Sequence, residues 1–260
     1  MNKKDQILNS LLKNAFKIWA FFLDLIFPIE CVNCNCEEKW LCQTCFNTIK
    51  LRHFQVCLAC KQKTIFGKFC SHCAPNYKLD GVLIASYYNQ EIVDKLIKNF
   101  KYYFVKDLSQ DLAKILILFL NDLLDKNKKI HSQAGLTNSL LTNFSNNLII
   151  PVPLSAYRQR WRDFNQAESI ARLIAQNFNL ELSINQLIRK KHTKPQVKLN
   201  KIKRKINVKG CFDWQADDLA GRQIILIDDV VTTGATLNEC AKVLKYHGAS
   251  KVWALALANG

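Results

Sequence analysis

Two sets of residues in this 260-residue chain have the types and the spacing to do chemistry. The first is the run from Asp228 to Thr236, reading Asp-Asp-Val-Val-Thr-Thr-Gly-Ala-Thr. Before it, Ile224-Ile225-Leu226-Ile227 is apolar and β-branched enough to be a buried strand. After it, Leu237, Ala241, Val243 and Leu244 recur at helical spacing, which predicts a helix over 235–247. The strand is therefore expected to end in two adjacent carboxylates, then turn onto a helix N-terminus. Free N–H groups and the positive end of the helix dipole make such a turn a cradle for phosphate. Val231, Thr232, Thr233, Gly234, Ala235 and Thr236 form it; the hydroxyls add donors and Gly234 permits close backbone approach. Asp228 and Asp229, the candidate catalytic pair, can accept hydrogen bonds from a sugar diol beside that phosphate. A turn of this kind suits a ribose 5-phosphate. Two consecutive acids repel each other, so stability alone gives no reason for them.

The second set is sulfur. Eight of the eleven cysteines form four Cys-x-x-Cys pairs, Cys31/Cys34, Cys42/Cys45, Cys57/Cys60 and Cys70/Cys73. One such turn brings two thiolates to a metal, and two turns complete a tetrahedral zinc site. Consecutive pairing gives one site from Cys31, Cys34, Cys42 and Cys45 and another from Cys57, Cys60, Cys70 and Cys73. Cross-braced pairing of alternate knuckles is the alternative, and Cys36 is an alternative to Cys34. Four filled positions leave no place for a reactive water, so structural zinc is expected. Disulfides would require an exported protein, and no export signal is evident. Cys211 and Cys240 stand alone and read as small buried hydrophobes.

These groups need a scaffold. A chain that is 49% hydrophobic can bury one good core plus a small accessory module. A strand is expected over 81–88, helices over 91–103 and about 106–124, and a polar connecting loop over 121–147. A second buried strand follows at 148–152, then a helix over 164–178 with Asn165 as its cap, Glu168 in a capping box and Phe164 as a staple. Strands over 223–228 and 251–257 complete an alternation that implies an α/β fold with a parallel sheet and ligands at the carboxyl ends of its strands. Residues 7–27 form a broad apolar stripe at helical spacing. Lys13, Lys17 and Asp24 interrupt it, so a transmembrane segment is not expected; it packs on the zinc module or docks transiently to a membrane or partner.

The formal net charge is +16, from 37 Lys and Arg against 21 Asp and Glu. Anionic partners follow from that excess. Residues 189–209 concentrate it, with ten Lys or Arg and no acid. A closing lid over one small molecule needs few charges; a nucleic-acid backbone accounts better for ten. Trp161, Phe212 and Trp214 are nearby aromatics that could stack on bases if exposed. Arg158, Arg160 and Arg162 follow the strand at 148–152, where their forks could grip a pyrophosphate.

The motif ending in Thr233-Gly234-Ala235-Thr236 resembles the phosphoribosyl pyrophosphate (PRPP) motif of type I phosphoribosyltransferases, with its apolar run, two acids and Thr-Gly-x-Thr. The chain from about residue 23 onward resembles the ComF family, in which a double zinc ribbon precedes a phosphoribosyltransferase-like domain. Leu23 to Cys34, the Tyr88…Leu96-Ile97…Lys101 segment, Pro151-Val152-Pro153 with Phe164-Asn165-Gln166-Ala167-Glu168, and Arg189…Thr193…Gln196…Arg204…Asn207-Val208…Phe212 carry it. Trp161-Arg162-Asp163 departs from the family, where a Gly commonly precedes the Phe. The resemblance implies an α/β fold, a type I phosphoribosyltransferase-like parallel sheet with a small N-terminal zinc-ribbon module. It divides the chain into an N-terminal amphipathic helix (1–28), a double zinc ribbon (29–76) and the phosphoribosyltransferase-like domain (77–260). It further implies DNA uptake in natural transformation, at the cytoplasmic face of the membrane where single-stranded DNA enters, beside a competence helicase and other DNA-uptake proteins. Arg189, Lys194, Lys201, Lys203, Arg204 and Lys205 would then meet single-stranded DNA or a pyrophosphate. PRPP, carried with Mg, or a nucleotide-like ligand would fill the turn. Turnover of Mg-PRPP by an active transferase and PRPP sensing by a regulator are the alternatives.

Overall fold

The computed structural model describes residues 28–134, 144–155, 164–190 and 207–260. The N-terminal helix expected before residue 28, Arg158, Arg160, Trp161, Arg162, Lys194, Lys201, Lys203, Arg204 and Lys205 lie outside the described residues. The chain divides into two compact units between Thr48 and Ile49. The smaller unit contains the first cysteine group, one short helix, α1 (Gln43–Asn47), and the isolated bridge Glu30–Glu37. The division falls inside the 29–76 segment, so the second cysteine group belongs to the larger unit.

In the larger unit, the two-residue strands β1 (Gln55–Val56) and β2 (Lys63–Thr64) pair antiparallel. Next come β3 (Gly81–Ile84), α2 (Glu91–Tyr102), α3 (Leu108–Ala134), β4 (Leu148–Pro151), α4 (Gln166–Phe178) and β5 (Glu181–Leu182). After β6 (Leu187–Arg189) and β7 (Phe212–Trp214), the chain ends in β8 (Gln223–Val231), α5 (Ala235–Tyr246) and β9 (Lys251–Asn259). Five strands form one sheet in the order β3-β9-β8-β4-β5, and every pairing in it is parallel. β6 and β7 form a separate antiparallel ribbon.

Burial explains the composition of the central strands. β8 and β9 read Gln-Ile-Ile-Leu-Ile and Lys-Val-Trp-Ala-Leu-Ala-Leu-Ala because helices or loops cover both faces, the rule for parallel sheets. β8 continues through the acid pair to Val231, past the strand end expected at Asp228. The reason is β9: nine residues long, it supplies partners as far as Val231–Asn259. α3 also runs past its expected end, through most of the segment expected to be a loop. Its polar 124–134 stretch is made largely of good helix formers with no Gly or Pro, and buried Leu123 and Asn127 continue the inward face. Asn165 caps α4 as expected, accepting from Ala167 N–H at 3.1 Å. Glu168 pairs instead with Arg172 at 2.8 Å, and Phe164 packs on Phe100 of α2 with ring centroids 5.6 Å apart.

Asp80 ties the entry to β3 to the far end of the motif helix. It accepts from Val252 N–H at 2.7 Å and pairs with Lys245 of α5 at 2.8 Å. The backbone is closely packed just after it. A Cβ on Gly81 would lie 2.3 Å from Cζ3 of buried Trp253 and 2.8 Å from the Gly67 carbonyl oxygen. Gly81→Ala is therefore expected to cost about 2 kcal/mol or more, the scale of core overpacking. A melting temperature equal to wild type would contradict this packing.

Candidate functional site

The carboxyl ends of β4 and β8 and the start of α5 enclose a cleft of about 190 Å³. Asp228, Asp229, all of Val230–Leu237, Val152–Leu154, Asn165–Ala167, Arg189, Lys101 and Tyr102 line it. The acids and the turn thus lie together, as their sequence implies, and the fold adds Arg189 from the β6–β7 ribbon.

The turn is built for close approach. Gly234 adopts the left-handed conformation, φ +70°, directly before α5. Thr233 Oγ1 accepts from Ala235 N–H at 3.4 Å, and the first turn of α5 keeps N–H groups without helical partners. The two acids fold their oxygens back on the chain: Asp228 Oδ1 accepts from Asp229 N–H at 2.9 Å, and Asp229 Oδ1 from Val230 N–H at 2.6 Å.

Lys101, to which the sequence alone assigns no role, is the residue that makes this pair tolerable. From the last turn of α2, its Nζ meets Asp229 Oδ1 at 2.9 Å, with both side chains mostly buried. The signal for it is the Lys101 of the Tyr88…Lys101 segment, but its partner lies far along the chain. Among the described residues, no cation pairs with Asp228 in this way. Burial, then the Asp229 carboxylate, push its carboxyl up to about 7, with Lys101 opposing them. Cys240, buried behind the site, is pushed up by burial first and by Asp228 next.

Arg189 sits over the Phe212 ring, its guanidinium carbon 5.5 Å from the centroid. Phe212 and Trp214 are core residues, 3% and 6% exposed, so neither is a stacking platform for bases. Trp214 Nε1 donates to Asp217 O at 2.9 Å. The aromatic at the cleft is Tyr102, which is half-exposed. Lys190, at the start of the basic stretch, pairs with Asp213 at 3.1 Å.

The cysteines fall into two groups, Cys31-Cys34-Cys42-Cys45 and Cys57-Cys60-Cys70-Cys73, the sulfurs of each within 4.8 Å of one another. Pairing is consecutive, and Cys34 rather than Cys36 completes the first group. Zinc held about 2.3 Å from four thiolates separates them by about 3.8 Å. The Cys34–Cys42 and Cys60–Cys70 sulfurs are each 3.6 Å apart, so each group fits a zinc ion. The two knuckles repeat one backbone pattern. Cys31 N–H donates to Cys36 O and Asn35 N–H to Cys31 O; Cys57 N–H donates to Gln62 O and Lys61 N–H to Cys57 O. Burial would raise the Cys31 and Cys57 thiols, but surrounding backbone N–H donors prevail and draw both down to about 6.

A parallel sheet with an acid pair and a Thr-Gly turn at its carboxyl edge defines a phosphoribosyltransferase-type domain. Residues 165–260 match the phosphoribosyl transferase domain family. Over 244 residues the chain is 30% identical to Competence protein F of Haemophilus influenzae, spanning 89% of this chain and 98% of that protein. It is 25% identical over 236 residues to DNA utilization protein YhgH of Escherichia coli, spanning 83% and 96%. A match to Competence protein ComFC of Bacillus subtilis is 33% identical over 130 residues, 46% of this chain and 51% of that one. The chain belongs to the ComF family.

Asp228 offers a direct check, because its ordinary value of 3.8 is raised to about 7. Its protonation supports the fold fully below about pH 4, and that support is lost as the pH rises through 7. A carboxyl carbon-13 titration should find its midpoint near 7 in wild type, lower in Asp229→Asn and higher in Lys101→Met. Equal midpoints in all three would refute the assignment of causes. For the metal sites, purified reduced protein should carry about two zinc equivalents, released on acidification as protons compete with the metal for the thiolates. One equivalent or none at neutral pH would refute the two-site reading.

Proposed function

We propose that this protein is a competence-type DNA-uptake factor. It binds a phosphoribosyl ligand in the cleft and single-stranded DNA along the basic 189–209 stretch, at the cytoplasmic side where the strand enters. The observation that carries this reading is the convergence of Asp228, Asp229, the 231–236 turn and Arg189 on one cleft, in a chain 30% identical to Competence protein F. Ribose hydroxyls would donate to the two carboxylates. The 5-phosphate would take the N–H groups and hydroxyls of the turn, and Arg189 would meet the more distal phosphates. Asp229 is already paired with Lys101, so the cleft is no dedicated cation cage. Mg²⁺ would enter on the ligand's own phosphates and neutralise their charge.

DNA is favoured over a small-molecule lid because ten cations without an acid suit a polyanion better than one pyrophosphate. The name Competence protein F and the name DNA utilization protein for the relatives agree with that role. A second reading, turnover of Mg-PRPP, draws on Asp228. A carboxyl with its midpoint near 7 can both give and take a proton at neutral pH.

Titrations with Mg-PRPP and with single-stranded DNA, separately and in competition, test the proposal. Asp228→Asn with Asp229→Asn should weaken Mg-PRPP binding by roughly tenfold or more per carboxylate, the scale of hydrogen bonds to a charged group, with zinc content unchanged. Single-stranded DNA affinity should fall with salt at a logarithmic slope of roughly −0.7 per phosphate contact. Replacing Lys201, Lys203, Arg204 and Lys205 by Ala should flatten that slope for every sequence alike. Wild-type protein that retains no single-stranded DNA at low salt would reverse the preference for DNA over the lid.

A further inference from the structure

The second cysteine group lies against the phosphate turn at Leu58 and is linked to either end of it through Asn259 and Asn238. Leu58, between Cys57 and Cys60, is buried in the main core. A Cβ on Gly234 would lie 2.5 Å from Leu58 Cδ2, so the leucine methyl occupies the space this glycine leaves. Gly234 is thus required twice, by its φ of +70° and by the knuckle lying against it. Further along the knuckle, Lys61 Nζ donates to Asn259 Oδ1 at 3.0 Å across the chain's last strand. Asn259 Nδ2 in turn donates to the carbonyls of Val231 at 3.1 Å and Thr232 at 3.4 Å, where the turn begins. On the exit side, Lys78 and Leu79 N–H both donate to Asn238 Oδ1 in the first turn of α5, at 2.7 and 3.2 Å.

Lys61 has the least structural excuse for being there. Its φ is +67°, a left-handed conformation that favours Gly or Asn over a lysine. The same position of the first knuckle holds Asn35, at φ +60°. Lys61 is exposed and so fills no core space. What it reaches is the asparagine that holds the turn. The only regular structure between Cys57 and Cys73 is the two-residue β2 and a single short 3₁₀ turn, too little to keep the knuckle's shape without metal.

We propose that the second cysteine group is a clamp on the phosphate turn, so that zinc at Cys57, Cys60, Cys70 and Cys73 sets the order of residues 231–236 and, with it, the affinity of the cleft. Leu58 fixes the turn at Gly234, and Lys61, acting through Asn259, fixes its start. Both are positioning residues. Coupling of this kind is reciprocal: a ligand that needs the ordered turn must also hold the zinc more tightly. The affinity half of the inference rests on the phosphoribosyl reading above; the ordering half does not.

Amide hydrogen exchange across 231–237 in the full-length, zinc-loaded protein separates the two. Lys61→Ala and Cys60→Ser are expected to speed exchange there by roughly fivefold, the scale of one lost hydrogen bond, while β4 and β8 up to Ile227 stay protected. Lys61→Arg, which keeps a donor, should restore the wild-type rate. Mg-PRPP affinity should fall in step with turn order. In wild type, Mg-PRPP should slow the release of one zinc equivalent to a chelator, an effect absent from Lys61→Ala. Should Cys60→Ser unfold throughout, Lys61→Ala decides alone, because an exposed side chain can be removed without collapse. Wild-type exchange rates at 231–237 in Lys61→Ala would overturn the clamp. Altered exchange in a protein that binds no Mg-PRPP would uphold the clamp and overturn the phosphoribosyl reading instead.

Discussion

Two neighbouring carboxylates at the end of a buried strand cannot both stay ionised without a counter-charge, and the Lys101–Asp229 ion pair supplies it. The rest of the site is arranged around that contact. Lys101 reaches Asp229 because α2 packs Ile97 and Phe100 fully into the core, fixing the helix's last turn at the cleft edge. With one acid neutralised, the burden of burial and repulsion falls on the other, and Asp228 is the carboxyl pushed up to about 7. Removing Lys101 would leave a buried charge alone, which costs far more than forming the pair gained.

Topology then decides what faces the acids. In the order β3-β9-β8-β4-β5, β8 is the middle strand, so the turn leaving it opens beside the ends of β4 and β9. A helix follows that turn directly, and its N-terminus faces the carboxyl edge where ligands of open α/β sheets bind. The antiparallel ribbon lies outside the sheet and lends one residue, Arg189, held over Phe212. Cation, carboxylates, hydroxyls and guanidinium therefore come from separate stretches of chain, and only the β8–α5 stretch is continuous.

That continuity governs what could be read beforehand. Residues 224–236 were legible because a strand, a turn and a helix start are local patterns, each visible in a window of a few residues. The cysteine groups were legible because metal geometry imposes spacing. Lys101 was visible as a residue but not as the partner of Asp229, since nothing local encodes a contact between a helix end and a distant strand. Phe212 and Trp214 looked able to stack on bases, yet the ribbon turns both inward; alternation about Asp213 is too short a pattern to settle that from sequence. The polar run after residue 121 read as a loop because Asn, Lys and Ser are common in loops. Lys, Gln and Ala are also good helix formers, and the buried face carrying Leu123 and Asn127 tips the balance. Cysteine spacing likewise held no sign that the second group shares the core of the larger unit.

The same ion pair constrains any ligand that brings a pyrophosphate. Such a ligand would compete with Asp229 for Lys101, because a phosphate oxygen is at least as good an acceptor as a carboxylate. If the lysine moved, Asp229 would lose its counter-charge beside Asp228, and two carboxylates would face each other in a cleft of about 190 Å³. Ribose hydroxyls on such a ligand would relieve part of this by donating to both acids. The remainder must come from a proton on Asp228, already favoured there near neutral pH, or from a cation carried in on the phosphates. For a ligand of that kind, its charge, proton uptake and the position of Lys101 would form a single linked equilibrium, with the acid pair at its centre.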